Sequence, residues 1–142
     1  MAGRRIDGFF YGLFMDPDVL AAAGVIPTNP RMAYADGLAL RIGNRATLVA
    51  EPGARAYGMV YALMHGELAQ LYGAPGLENY RPATIIVRLL DGGETAALCY
   101  NLNEPPAEHE QNDIYAGKLR EALRALGFPG DYITSIGHQD PK

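Results

Sequence analysis

There is one cysteine in 142 residues, Cys99, so no disulfide can close within the chain. That agrees with a reducing compartment, and the expected location is cytoplasmic. Apolar runs are short. None approaches the roughly 20 residues that cross a bilayer, so no membrane is expected as a partner. Arg4 and Arg5 precede an apolar stretch that Gly12 and Asp16 interrupt, which does not read as a secretory signal. Basic charge is also scarce: 12 Lys and Arg against 16 Asp and Glu leave a net charge of −4. With the cations scattered along the chain, nucleic acid is not an expected partner. His65, His109 and His138 stand far apart, without metal-ligand spacing. No metal or other cofactor is therefore expected, and no repeat or low-complexity tract is present.

What the chain does have is an ordinary globular balance, 49% hydrophobic and 20% charged. Its length suits one domain, residues 1–142, with a core over about residues 8–136. Gly8-Phe9-Phe10-Tyr11 reads as a first strand ended by Gly12. Asp16 and Pro17 then offer an N-cap and a first helical position for a short helix that Gly24 stops. Arg31–Ile42 and Arg45–Val49 read as a hairpin about Gly43-Asn44, followed by a turn at Glu51-Pro52-Gly53.

Ala54–Leu63 is apolar on both alternating faces, so it should be covered on both. Gly66–Leu71 reads as a short helix, and Arg81–Leu90 with Glu94–Leu102 as a hairpin about Asp91-Gly92-Gly93. Asn112 caps the longest helix, Asp113–Leu126, which Gly127 and Pro129 end. Ile114, Tyr115, Leu119, Ala122, Leu123 and Leu126 form its apolar stripe. Six short strands and one long late helix predict an α+β fold, a barrel or sheet with helices packed outside. Cys99 falls inside an apolar strand pattern and reads as a core residue.

Several of these segments together resemble the γ-glutamyl cyclotransferase-like family. Tyr11-Gly12-Leu13-Phe14-Met15 is similar to its first-strand loop, Tyr-Gly-Ser/Thr-Leu/Asn. Pro52-Gly53 with Tyr57-Gly58-Met59-Val60-Tyr61-Ala62-Leu63 resembles its Gly-x-Val-Tyr strand, and Glu67–Leu71 the helix after it. Tyr80-Arg81-Pro82, then Tyr115 ahead of Gly127-Phe128-Pro129-Gly130-Asp131-Tyr132, resemble its later landmarks. The resemblance runs over residues 8–136 and implies a small mixed β-barrel flanked by helices.

It also implies a chemistry, the release of 5-oxoproline from γ-glutamyl amines or amino acids. The substrate's α-amine attacks its own γ-carbonyl, so a carboxylate must take the ammonium proton and return it to the leaving amine. Fixed donors must hold the substrate carboxylate and the developing oxyanion. By resemblance Tyr11, Gly12, Leu13, Phe14, Tyr80, Tyr100 and Tyr115 would line the pocket for this small carboxylate-bearing ligand.

Two departures stand out. Leu13 replaces the usual hydroxyl residue, and the family's Asp-x-x-Glu-Gly stretch is here Tyr72-Gly73-Ala74-Pro75-Gly76, with Pro75 in the place of the catalytic Glu. Glu78 is the nearest carboxylate, and it reads either as a repositioned base or as a solvated loop residue. The tyrosines read either as pocket wall or as core aromatics. Two functions stay open: a cyclotransferase-like enzyme, and a carboxylate-binding domain without catalysis.

Overall fold

The computed structural model describes residues 5–43, 45–73, 77, 79–102, 104, 106 and 112–136. Five strands close into a mixed barrel in the order β1-β3-β2-β4-β5. They are β1 (Arg5–Phe10), β2 (Thr28–Ile42), β3 (Ala46–Met64), β4 (Tyr80–Leu89) and β5 (Glu94–Leu102). All neighbours are antiparallel except β1 and β5, which close the barrel in parallel at Gly8 and Leu98. The helices are α1 (Pro17–Ala22), α2 (His65–Tyr72), α3 (Asp113–Leu126) and α4 (Gly130–Ser135). No helix among the described residues is long and apolar enough to cross a membrane.

The two-sided strand expected at Ala54–Leu63 lies within β3, between β1 and β2. Its even-numbered residues Ala56 and Val60 join Phe9, Ala33, Ala35, Val87, Ala97 and Cys99 in one buried cluster. That cluster draws on all five strands and is the barrel interior. Met59, Tyr61 and Leu63 face the other way, onto Leu20, Leu68, Leu119, Leu123 and Ile133 of the four helices. Mostly small residues fill the narrow barrel, and larger ones fill the wider layer between barrel and helices. Gly58 sits against the Phe10 carbonyl oxygen, which a side chain at that position would strike.

Six strands are expected from the sequence and five are present, because Glu51-Pro52-Gly53 is not a turn. It is a large bulge inside β3, between the cross-strand pairs Asp36–Arg55 and Leu38–Ala50. Gly37 and Gly53 take the left-handed conformation there, with φ of 82° and 84°. A bulge leaves residues outside the ladder, so Pro52 loses nothing by lacking an N–H. The bend carries the far arm of the β2–β3 hairpin over one end of the barrel.

Helix ends follow their local chemistry. Asp16 Oδ1 accepts the Asp18 N–H at 2.9 Å, with Pro17 at the first helical position of α1. Glu67 accepts the Met64 N–H at 2.9 Å and the Ile26 N–H at 3.0 Å, tying α2 to the segment after α1. Asn112 accepts the Tyr115 N–H at 3.0 Å, and Gly127 closes α3 with φ of 87°. At the barrel end away from that hairpin arm, Arg31 donates twice to Asp7, at 2.6 and 3.1 Å, and Thr95 Oγ1 donates to Asp7 at 3.0 Å. Arg31, hydrogen-bonded and charged, outweighs burial and holds the Asp7 carboxyl below its ordinary range.

One residue of the α3 stripe is misplaced by periodicity. Ile114 is 74% exposed, in the first turn beside the Asn112 cap, before α3 reaches the barrel. Ala116, Leu119 and Leu123 are buried instead, with Tyr115, Ala122 and Leu126 half-buried. Leu123→Ala is therefore expected to lower stability by about 2–5 kcal/mol. Ile114→Ala should stay within about 0.5 kcal/mol of the parent. Urea unfolding midpoints of the three proteins check this; a comparable loss in both variants would put Ile114 in the core.

Candidate functional site

The hairpin arm is pinned by buried and half-buried polar groups rather than by further ladder. Tyr11 Oη donates to the Tyr100 carbonyl at 2.6 Å, and Tyr80 Oη donates to the Ala46 carbonyl. Thr47 Oγ1 accepts the Leu102 N–H at 2.9 Å, while Asn101 Oδ1 accepts the Leu48 N–H at 3.1 Å. Ala46–Leu48 is thereby fixed to β4 and β5, and Arg45, just before it, is brought to the barrel end. Each contact satisfies a polar group that burial would otherwise leave costly.

Between this arm, α2 and the loop after β1 lies a cavity of about 260 Å³. The loop makes a single 3-10 turn, Leu13–Met15, held by the Met15 N–H on the Gly12 carbonyl at 2.9 Å. The Leu13 N–H donates to the Tyr115 hydroxyl at 3.1 Å, so α3 props the loop from behind. A side chain at position 12 would collide with that hydroxyl, which explains the glycine. The Gly12 and Phe14 N–H groups have no partner among the described residues.

Of the residues expected at a pocket, Tyr11, Gly12, Leu13, Phe14, Tyr80 and Tyr115 line this cavity together. Their hydroxyls are not equally available: those of Tyr11 and Tyr80 already donate to backbone carbonyls. Tyr100 is not on the cavity wall; its ring stacks on Tyr72 at 3.9 Å and 6°, one layer back. Glu78 and Pro75 lie outside the described residues, as do His109 and His138. Asp16 is committed to capping α1. Cys99 is buried inside the barrel, and burial pushes its thiol up to about 12, which leaves it an unreactive thiol at neutral pH.

Phe10, Val19, Arg45, Ala46, Tyr72 and Leu77 also line the cavity without having been expected there from the sequence, and two of them set its character. Arg45 is exposed and lines the cavity, so its positive charge stands at the rim. It looked like a hairpin residue, and nothing local shows that the arm folds over the barrel end. Tyr72 closes the inner side; only its place opposite the family's Asp pointed there. Burial raises the hydroxyls of Tyr11, Tyr72, Tyr80 and Tyr115 above the ordinary tyrosine range, and the Arg45 charge partly offsets this for Tyr80 and Tyr115. All four are neutral donors at neutral pH. No carboxylate is among the described residues of the wall.

Residues 8–121 match the gamma-glutamyl cyclotransferase, AIG2-like family. The chain belongs to that family. Solved structures agree on the fold. A gamma-glutamyl cyclotransferase superposes with a TM-score of 0.78 at 17% identity, covering 96% of this chain and 90% of that one. An uncharacterized protein from Homo sapiens gives 0.77 at 18% identity, covering 98% and 92%. YkqA from Bacillus subtilis gives 0.74 at 22% identity, covering 95% of this chain and 56% of YkqA. No curated protein matches the sequence significantly.

The buried tyrosines set an alkaline limit. A phenol whose folded-state pKa lies above its unfolded value of 10.0 stabilises the fold fully below that pH. The contribution is lost as pH climbs through the folded value, about 12 for Tyr61 and Tyr132, where burial is the main cause. Stability measured by urea should hold to about pH 10 and fall steeply above it. Phenolate absorbance should rise together with unfolding; full ionisation of a still-folded protein would contradict the burial.

Proposed function

We propose that this cavity takes a γ-glutamyl amine or amino acid and that the protein releases 5-oxoproline from it. The observation that carries the reading is the meeting of the Gly12–Phe14 loop and Arg45 on one cavity in a member of this family. In this reading the Gly12 and Phe14 N–H groups donate to an oxygen of the substrate, and the Arg45 guanidinium attracts its carboxylate. In the reaction the α-ammonium gives up a proton, its nitrogen bonds to the γ-carbonyl carbon, and the amide C–N bond breaks. The departing amine takes the proton back. The proton carrier in this reading is Glu78, the nearest carboxylate in sequence to the position that Pro75 occupies.

A second reading, a carboxylate-binding domain without turnover, is favoured by one observation. None of the described wall residues is an acid. The two readings separate in one assay, 5-oxoproline release from a panel of γ-glutamyl compounds with ligand binding measured alongside.

Turnover by the parent protein, falling about 10²–10⁴-fold in Glu78→Gln with affinity little changed, is the expected result. Binding without release, with release appearing in Pro75→Glu, would establish the second reading. Arg45→Ala should weaken binding of the carboxylate ligand about 10-fold or more, the scale of a charge-assisted hydrogen bond. Unchanged affinity would remove Arg45 from the site.

A further inference from the structure

The inner half of the cavity is built differently from its rim. Tyr72 ends α2, packs edge-on to Phe14 at 5.6 Å and 87°, and is tilted against Tyr80 at 5.7 Å. Phe14 in turn meets Phe10 edge-on at 6.4 Å, and Val19 and Leu77 add aliphatic surface. The charge on the described wall is one cation, Arg45, at the solvent side. The Tyr80 hydroxyl is spent on the Ala46 carbonyl, so it is not free to meet a polar ligand group. Where relatives are expected to have an Asp, this chain has put an aromatic ring.

We propose that the amine half of the ligand is apolar and ring-bearing, and that it is selected by the box of Phe10, Phe14, Tyr72 and Tyr80. The inference rests on the γ-glutamyl reading of the cavity and names what that reading leaves open, the group beyond the γ-amide. A charged amine half would lose its hydration against this wall, with no opposite charge among the described wall residues to meet it. A cation gains little from the Tyr72 ring, since Tyr100 covers one face and Arg45 adds like charge at the rim. An aromatic or branched group loses no hydrogen bonds there and gains edge contacts of the kind the box already makes within itself. With the head held by the loop and Arg45, the ring points inward.

The test compares the γ-glutamyl amides of phenethylamine, methylamine and putrescine, and 5-oxoproline, by calorimetric titration into the full chain. The same titrations in Glu78→Gln read binding apart from turnover and from the Glu78 charge. The phenethyl compound should bind about 10–100-fold more tightly than the methyl one, the range for burying an apolar side chain, and the putrescine compound no better than the methyl one. In Tyr72→Ala the phenethyl-to-methyl ratio should fall to about threefold or less, and Tyr72→Leu, which keeps apolar volume, should retain part of it. Val19→Asp places a carboxylate in the wall and should shift preference toward putrescine.

Equal affinity for the methyl and phenethyl compounds, or tightest binding of putrescine by the parent, overturns the inference while leaving the γ-glutamyl reading in place. If 5-oxoproline and all three amides fail to bind, the γ-glutamyl reading itself fails and this inference falls with it.

Discussion

Strand β3 must satisfy two neighbours and two cores at once, and the rest of the molecule is arranged around that demand. It hydrogen-bonds to β1 along one edge and β2 along the other, so it is flanked on both sides over Met59–Ala62. Its even face must be small enough for a five-strand barrel, which Ala56, Gly58 and Val60 provide. Its odd face must be large enough to reach the helices, which Met59, Tyr61 and Leu63 provide. Tyr61 also donates its hydroxyl to the Met15 carbonyl at 2.6 Å, so the outer face fixes the end of the loop that borders the cavity. A size change on either face is transmitted to the other through one backbone, with little slack at Gly58 beside Phe10.

A closed barrel this narrow has no room inside for a ligand, and the site is accordingly outside its end. What makes an end into a cavity is the bulge at Gly37 and Glu51–Gly53, which lets one hairpin outrun the barrel and fold across it. Unladdered backbone at that crossing would be costly if buried unpaired. Thr47, Tyr80 and Asn101 supply partners there, and Tyr11 serves the Tyr100 carbonyl of β5 beside them. Much of the polar chemistry near the cavity is therefore structural, and hydroxyls that look like ligand donors in the sequence are already in use.

The elements were legible where the signal is local. Asp16-Pro17, Asn112, Gly127 and the Asp91–Gly93 turn set boundaries by capping and turn chemistry, and the structure puts them where that chemistry requires. The two-sided pattern of β3 foretold its double cover. Misreadings arise where tertiary context decides: Pro52-Gly53 has the chemistry of a turn but lies in a bulge, and Ile114 has the right period but precedes the contact. The loop and tyrosines of the site could be found through family resemblance. Arg45 could not, because its role depends on how a hairpin arm bends. Tyr100 was assigned to the wall, yet it supports the wall from behind through Tyr72.

Tyr72 changes what any base in this cavity would experience. A carboxylate brought against the aromatic wall meets a desolvating surface, which raises its pKa and favours the neutral acid. Arg45 at the rim would pull the other way, but in the proposed reading it also attracts the ligand's carboxylate, and one guanidinium shared by two carboxylates stabilises each less than one alone. A carboxylate near the rim would stay ionised and accept a proton readily; one deep against Tyr72 would hold its proton and act first as a donor. In the proposed reaction, depth along the wall, more than the mere presence of an acid, would thus set which half of the proton transfer is favoured.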